Sequence, residues 1–168
     1  MAYPECYKPV SGFVSPNDVE WEQKALTAKF RGTNQFAVYL SKSNELYLLI
    51  SKERIDIILQ PSSFEIFTFS PVYNLTPTLK FASIGLENMF NSGGAIESLE
   101  YIKSNEGVAC VKIMIKGTGK FLAYSSEKPK EVNLNEKKVE LLEWAGNGRL
   151  GFDIPWVGGK LSDVLIMF

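Results

Sequence analysis

Apolar and polar residues alternate at every second position through most of this chain, the period of strands with one buried face. In residues 54–60, Ile55, Ile57 and Leu59 share one face, while Arg54, Asp56 and Gln60 share the other. Residues 35–41 repeat the pattern with Phe36, Val38 and Leu40, and residues 45–50 with Leu46, Leu48 and Ile50. Between those two, Lys42-Ser43-Asn44 reads as a short hairpin loop. Residues 63–69 carry apolar groups on both faces, which predicts a central strand ended by Pro71. Residues 78–84 and 95–102 follow as strands. Residues 108–116 set Ala109, Val111, Ile113 and Ile115 inward, with Lys112 and Lys116 outward.

Turn chemistry separates these runs. Gly117-Thr118-Gly119 is a turn from which residues 120–125 return as the partner strand. Residues 137–144 predict a strand, Gly146-Asn147-Gly148 a turn, and residues 149–154 and 161–168 the last two strands. No dozen residues sustain a helical period; residues 17–30 are the weakest assignment, strand or one short helix. About 10–12 short strands punctuated in this way predict an all-β antiparallel sandwich. A lead-in over residues 1–24 and a β-sandwich domain over 25–168 form one compact domain, a normal size for 168 residues.

Composition narrows the chemistry. The chain has no histidine, which removes the usual general base near neutral pH and the commonest metal ligand. Serine or cysteine triads that need imidazole cannot be built from it. Eighteen basic residues nearly cancel nineteen acidic ones, so no long-range field favours nucleic acid or an anionic membrane. No run approaches the length needed to span a bilayer, and the N-terminus has no signal-like apolar segment, so a cytoplasmic location is expected. Cys110, in the apolar run Val108-Ala109-Cys110-Val111, reads as a small buried hydrophobe, and Cys6 lies in a polar terminus.

Carboxylate pairs can catalyse without histidine, so they come first among candidate sites. Asp18 with Glu20 and Glu97 with Glu100 are the nearest pairs, and each reads better as a solvated face or a turn cap than as glycosidase acids. Asp153, between Phe152 and Ile154, reads as a partly buried acid bonded to backbone donors. Asn91-Ser92-Gly93-Gly94 has the look of a phosphate cradle but no following helical pattern, so a hairpin or bulge is expected; Gly158-Gly159 is a further turn. Phe64, Phe67, Phe69 and Phe121 read as core. Tyr39, Tyr47 and Tyr124 on polar faces, and Trp144 and Trp156 near turns, are the candidates for a sugar-stacking platform. The residues themselves assign no catalytic, cofactor or metal position.

Four stretches are distinctive together: 10–21 (VSGFVSPNDVEW), 64–72 (FEIFTFSPV), 81–96 (FASIGLENMFNSGGAI) and 119–126 (GKFLAYSS). In this order they resemble the C-terminal region of the plant raffinose synthase family. That family includes stachyose synthases, seed imbibition proteins and alkaline α-galactosidases, and is similar to glycoside hydrolase family 36. The resemblance implies longer parent enzymes that move galactose from galactinol to sucrose or a related sugar, or hydrolyse α-galactosides. It implies a catalytic (β/α)₈ barrel with paired aspartates, followed by a β-rich domain. Only the latter has a counterpart here, so no catalytic residue is carried over. It further implies a truncated product, a paralogue without its barrel, or an incomplete gene model. The expected role is a non-catalytic β-domain, with a carbohydrate-binding module or a regulatory partner of a full-length homologue as alternatives. The expected partners are a galactoside or a homologous barrel, the latter through an apolar surface near Trp21 and residues 88–94.

Overall fold

The computed structural model describes residues 7–19, 34–87, 89–103 and 109–168. Among the described residues all strand pairs are antiparallel and the helical elements are two short 3₁₀ turns, so the all-β expectation holds. The chain divides into two compact units, Met1–Pro71 and Val72–Phe168. Glu20, Trp21, Cys6 and most of residues 17–30 lie outside the described residues.

The first unit contains β1 (Val10–Val14), β2 (Gln35–Leu40), β3 (Glu45–Ile50), β4 (Ile55–Leu59) and β5 (Phe67–Pro71). β1 pairs with β4, and β3-β2-β5 form a three-stranded sheet. β2 is the central strand, with Ala37, Val38 and Tyr39 all buried, so both of its faces are covered. The Ser41–Asn44 loop makes the β2–β3 hairpin as expected, with Asn44 at φ +58°. On one face Phe36, Val38, Leu40 and Leu49 form a core against which Ile55, Phe67 and Phe69 pack. Leu49, not Ile50, is the buried end of β3: pairing with Phe36 turns it toward this core and leaves Ile50 exposed.

Two expectations for residues 63–71 are corrected. The strand begins at Phe67 and, among the described residues, pairs with β2 alone, at the edge of its sheet. Pro71 is its last residue, opposite Phe36, so the proline ends the strand as expected. A residue without an N–H cannot carry the ladder further, and an edge strand tolerates it at its end. Phe64 precedes the strand and is 51% exposed, so it is not core.

The second unit is a sandwich of two five-stranded sheets. It is built from β6 (Tyr73–Asn74), β7 (Lys80–Leu86), β8 (Ile96–Lys103), β9 (Ala109–Lys116) and β10 (Gly119–Ser125). β11 (Glu131–Leu134), β12 (Lys137–Lys138), β13 (Glu143–Trp144), β14 (Arg149–Ile154) and β15 (Leu161–Met167) complete it. One sheet runs β13-β14-β10-β7-β6, the other β12-β11-β15-β9-β8. Phe81, Phe121, Leu150, Phe152 and Ile154 of the first meet Val111, Ile113, Ile115, Val164 and Ile166 of the second in one buried cluster. The inward set predicted for β9 is therefore correct.

Gly117-Thr118-Gly119 is a turn, but β10 does not return beside β9. It pairs with β7 and β14 in the opposite sheet. Gly117 and Gly119, at φ +112° and +123°, let the chain cross between layers, and Thr118 Oγ1 donates to the Ile154 carbonyl at 2.8 Å to fix the crossing. Residues 137–144 are two separate two-residue strands rather than one. β12 pairs with β11 and β13 with β14, so this segment also changes sheet. The turn at 146–148 links β13 to β14 with Gly148 at φ +83°.

Candidate functional site

Glu20 lies outside the described residues, and each of the other acids singled out by sequence has a local, structural setting. Asp18 is a cap: its carboxylate accepts from Ser15 N at 2.8 Å while Ser15 Oγ accepts from Asn17 N at 3.0 Å. Glu97 and Glu100 are exposed on β8, Glu97 at an irregularity in the pairing of β8 with β9. Asp153 is exposed rather than partly buried, because its neighbours Phe152 and Ile154 take the inward positions of β14. Cys110 is a free, half-buried thiol in β9. Among the described residues no three cysteines or acids cluster as metal ligands.

The aromatic candidates divide sharply. Tyr39 and Tyr124 are buried, so neither is a sugar platform. Tyr39 instead donates its hydroxyl to Asn44 Oδ1 at 3.0 Å, tying the hairpin loop to β2. Trp144 is half-buried and donates Nε1 to the Ser125 carbonyl at 3.2 Å. Tyr47 and Trp156 remain exposed.

Tyr47 lines a cleft of about 250 Å³ in the first unit, with Phe64, Glu45, Asp56 and Glu65. Alternation alone misses this grouping, because it assigns Phe64 to the core. The acids here are not a catalytic pair. Burial alone would raise the Glu65 carboxyl. Backbone amides of Lys42 (2.7 Å), Ile66 (2.9 Å) and Ser43 (3.1 Å) outweigh it and hold the group below its usual range. A group held ionised in this way is the opposite of a general acid. Glu45 Oε2 accepts from the Tyr47 hydroxyl at 2.9 Å, which raises the phenol further above its usual range. Asp56 is exposed and lies 3.9 Å from Arg54. Lys42 Nζ sits 4.7 Å from the centre of the Phe64 ring.

A second cleft, about 260 Å³, lies in the sandwich between Lys120, Glu143, Asp153 and the exposed Leu141. Lys120 is ion-paired to Glu143 there.

Asn91-Ser92-Gly93-Gly94 is neither hairpin nor bulge. Ser92–Ala95 form a 3₁₀ turn capped by Asn91, whose Oδ1 accepts from Gly94 N at 3.1 Å. Tight 3₁₀ winding suits a run containing two glycines, where no side chain crowds the turn. Phe90, just ahead of it, is 85% exposed.

The model of the family described as raffinose synthase or seed imbibition protein Sip1 matches residues 1–154. The chain belongs to that family. It is 45% identical over 169 residues to a stachyose synthase of Pisum sativum, covering 99% of this chain and 19% of that protein. It is 37% identical to a probable galactinol–sucrose galactosyltransferase of Arabidopsis thaliana, again covering 99% of this chain and 19% of the relative. A galactinol–sucrose galactosyltransferase of Oryza sativa is 35% identical over 93% of this chain and 20% of its own length. This raffinose synthase family chain thus spans about a fifth of these relatives and matches their C-terminal region.

Proposed function

We propose that this chain is the non-catalytic C-terminal β-domain of a raffinose-synthase-type galactosyltransferase, acting on carbohydrate only together with the longer part of such an enzyme. The match of almost the whole chain to a fifth of a stachyose synthase carries this reading. The layout of acids supports it. Retaining or inverting transfer needs two carboxyls facing one sugar across a pocket, one of them raised in pKa to act as acid. Here Glu65 is held in the opposite direction, and Asp18, Glu97, Glu100 and Asp153 are exposed.

The purified chain is expected to show no galactosyl transfer from galactinol to sucrose and no α-galactoside hydrolysis. Replacing the C-terminal region of the Pisum sativum stachyose synthase with this chain is expected to leave a soluble, active chimera. Turnover by the chain alone, or a chimera that never folds, rejects the proposal.

One observation favours a second role. The cleft in the first unit combines two exposed aromatic rings, Tyr47 and Phe64, with carboxylates, the pairing of flat apolar faces and hydrogen-bond acceptors that suits a neutral saccharide. Calorimetry with raffinose separates the readings: heat of binding lost in Tyr47→Ala and Phe64→Ala supports a binding module.

A further inference from the structure

The loop from β7 to β8 is held by several independent constraints and still leaves its apolar tip in water. At its root Gly85 has φ +118°, and a Cβ there would fall on the Ser92 carbonyl. Only glycine lets the returning chain lie this close to β7. Glu87 N donates to the Lys120 carbonyl at 2.7 Å, and the Glu87 carboxylate lies 3.5 Å from the Arg149 guanidinium, both side chains mostly buried. On the return, Ser92 is buried and donates Oγ to the Met89 carbonyl at 3.1 Å. Gly94 N donates to both the carbonyl and the Oδ1 of Asn91. Between these anchors Met89 is 40% exposed and Phe90 85% exposed.

A loop merely turning a corner needs no large aromatic at its apex. A ring presented between two anchored ends loses less entropy on binding than one on a free segment, and it contributes its apolar area when it enters a pocket. Aromatic side chains of this kind are the usual anchors of interfaces. The thioether of Met89 beside it suits an apolar, aromatic-containing pocket wall.

We propose that Phe90, with Met89 beside it, is the anchor by which this β-domain docks into an apolar pocket in the preceding part of a full-length family chain. This rests on the reading given above. The occupant follows from length: the matched relatives carry about four-fifths of their sequence ahead of the region this chain resembles. That is the surface always present beside the domain at high local concentration.

The test uses the same substitution in two settings, the isolated 168-residue chain and the stachyose synthase chimera. In the isolated chain, Phe90→Ala is expected to leave thermal unfolding unchanged. In the chimera it is expected to make proteolytic cleavage at the junction about tenfold faster, the loss expected of one aromatic anchor, and to lower transfer activity, while Phe90→Trp keeps both near the parent. Equal cleavage of the parent and Phe90→Ala chimeras overturns the docking role and leaves the domain assignment standing. An equal fall in thermal stability in both settings also overturns it, because the ring is then structural within the domain. A dimer of the isolated chain that disperses on Phe90→Ala overturns it in favour of a second copy as occupant. A chimera that never folds rejects the underlying assignment instead, and the docking role with it.

Discussion

The rings of Tyr73 and Tyr101 lie 4.6 Å apart, tilted by 41°, and join the edge strand β6 of one sheet to the edge strand β8 of the other. Tyr101 also meets Phe81 edge-on at 6.5 Å, and Phe81 meets Phe168 in the same manner at 6.2 Å. This row of rings closes one open side of the sandwich. Edge-to-face and tilted pairs of this kind add about 0.5–1.5 kcal/mol each beyond area burial. The Tyr101 hydroxyl is buried and has no hydrogen-bond partner among the described residues.

Removing that hydroxyl is therefore expected to be harmless. Tyr101→Phe keeps the ring contacts and deletes an unsatisfied polar group, so stability should hold or rise by up to about 1 kcal/mol. Tyr101→Leu loses the stacked rings and should cost about 2–3 kcal/mol. Urea unfolding of the two variants checks the order. A Tyr101→Phe variant clearly weaker than the parent would show that the hydroxyl makes a bond.

The same pair sets an alkaline limit. Burial pushes the Tyr73 phenol up to about 12. Burial, and then the charge of Tyr73, pushes Tyr101 higher still. The unfolded chain ionises its tyrosines near 10, so above that pH it releases protons that the folded chain keeps. The stabilising contribution is complete below pH 10 and is lost as pH rises from there through about 12. Tyrosinate absorbance should therefore appear together with loss of β-sheet circular dichroism in that window. Full ionisation of both phenols with the sheet intact would contradict the burial of this pair.

How far the sequence foretold this depends on whether a feature is local. Inward faces set by alternation, as in β9 and β4, need only the pleat, and they are where the pattern puts them. The β2–β3 hairpin and the Gly146–Gly148 turn are likewise written in short-range turn chemistry. Strand partners are not. Nothing between Lys116 and Lys120 distinguishes a hairpin from a crossing to the other sheet, because two glycines permit either. The 137–144 run alternates well enough for one strand, yet its two ends pair in different sheets. Phe64 and Tyr39 show the same limit for the site. An aromatic belongs to core or cleft according to which layer covers its strand, and one sequence does not carry that information.

Gly85 and Gly12 make a paired test of the β7–β8 loop. A Cβ at Gly85 would collide with the Ser92 carbonyl, at a positive φ that L-residues avoid. Gly85→Ala should cost several kcal/mol, about 3 or more, because backbone must move and the left-handed region is strained. Gly12 lies in β1, and a Cβ added there would meet nothing within 4 Å, so Gly12→Ala should stay within about 0.5 kcal/mol. Thermal unfolding of both decides. A Gly85→Ala chain as stable as the parent would mean that the loop does not fold back onto β7.

Glu65 yields the last prediction, at the acid end. Its carboxylate accepts from three backbone amides, two of them in the β2–β3 loop, so it works as a cap for a loop whose N–H groups no strand satisfies. Those bonds hold its folded pKa below the unfolded value despite burial. A depressed carboxylate contributes stability that is fully present above its unfolded value near 4.5 and lost as pH falls through the folded value. Glu65→Ala should therefore cost about 1–2 kcal/mol at neutral pH, the range of a lost cap. The cost should shrink as pH falls below the unfolded value and through the lower folded value, where the parent itself loses the charge. Hydrogen exchange at Lys42 and Ser43 supplies the local readout: both amides should exchange faster in the variant at neutral pH and converge with the parent in acid. A difference between the two chains that stays constant from neutral pH down to strong acid would show that Glu65 acts through packing rather than through its charge.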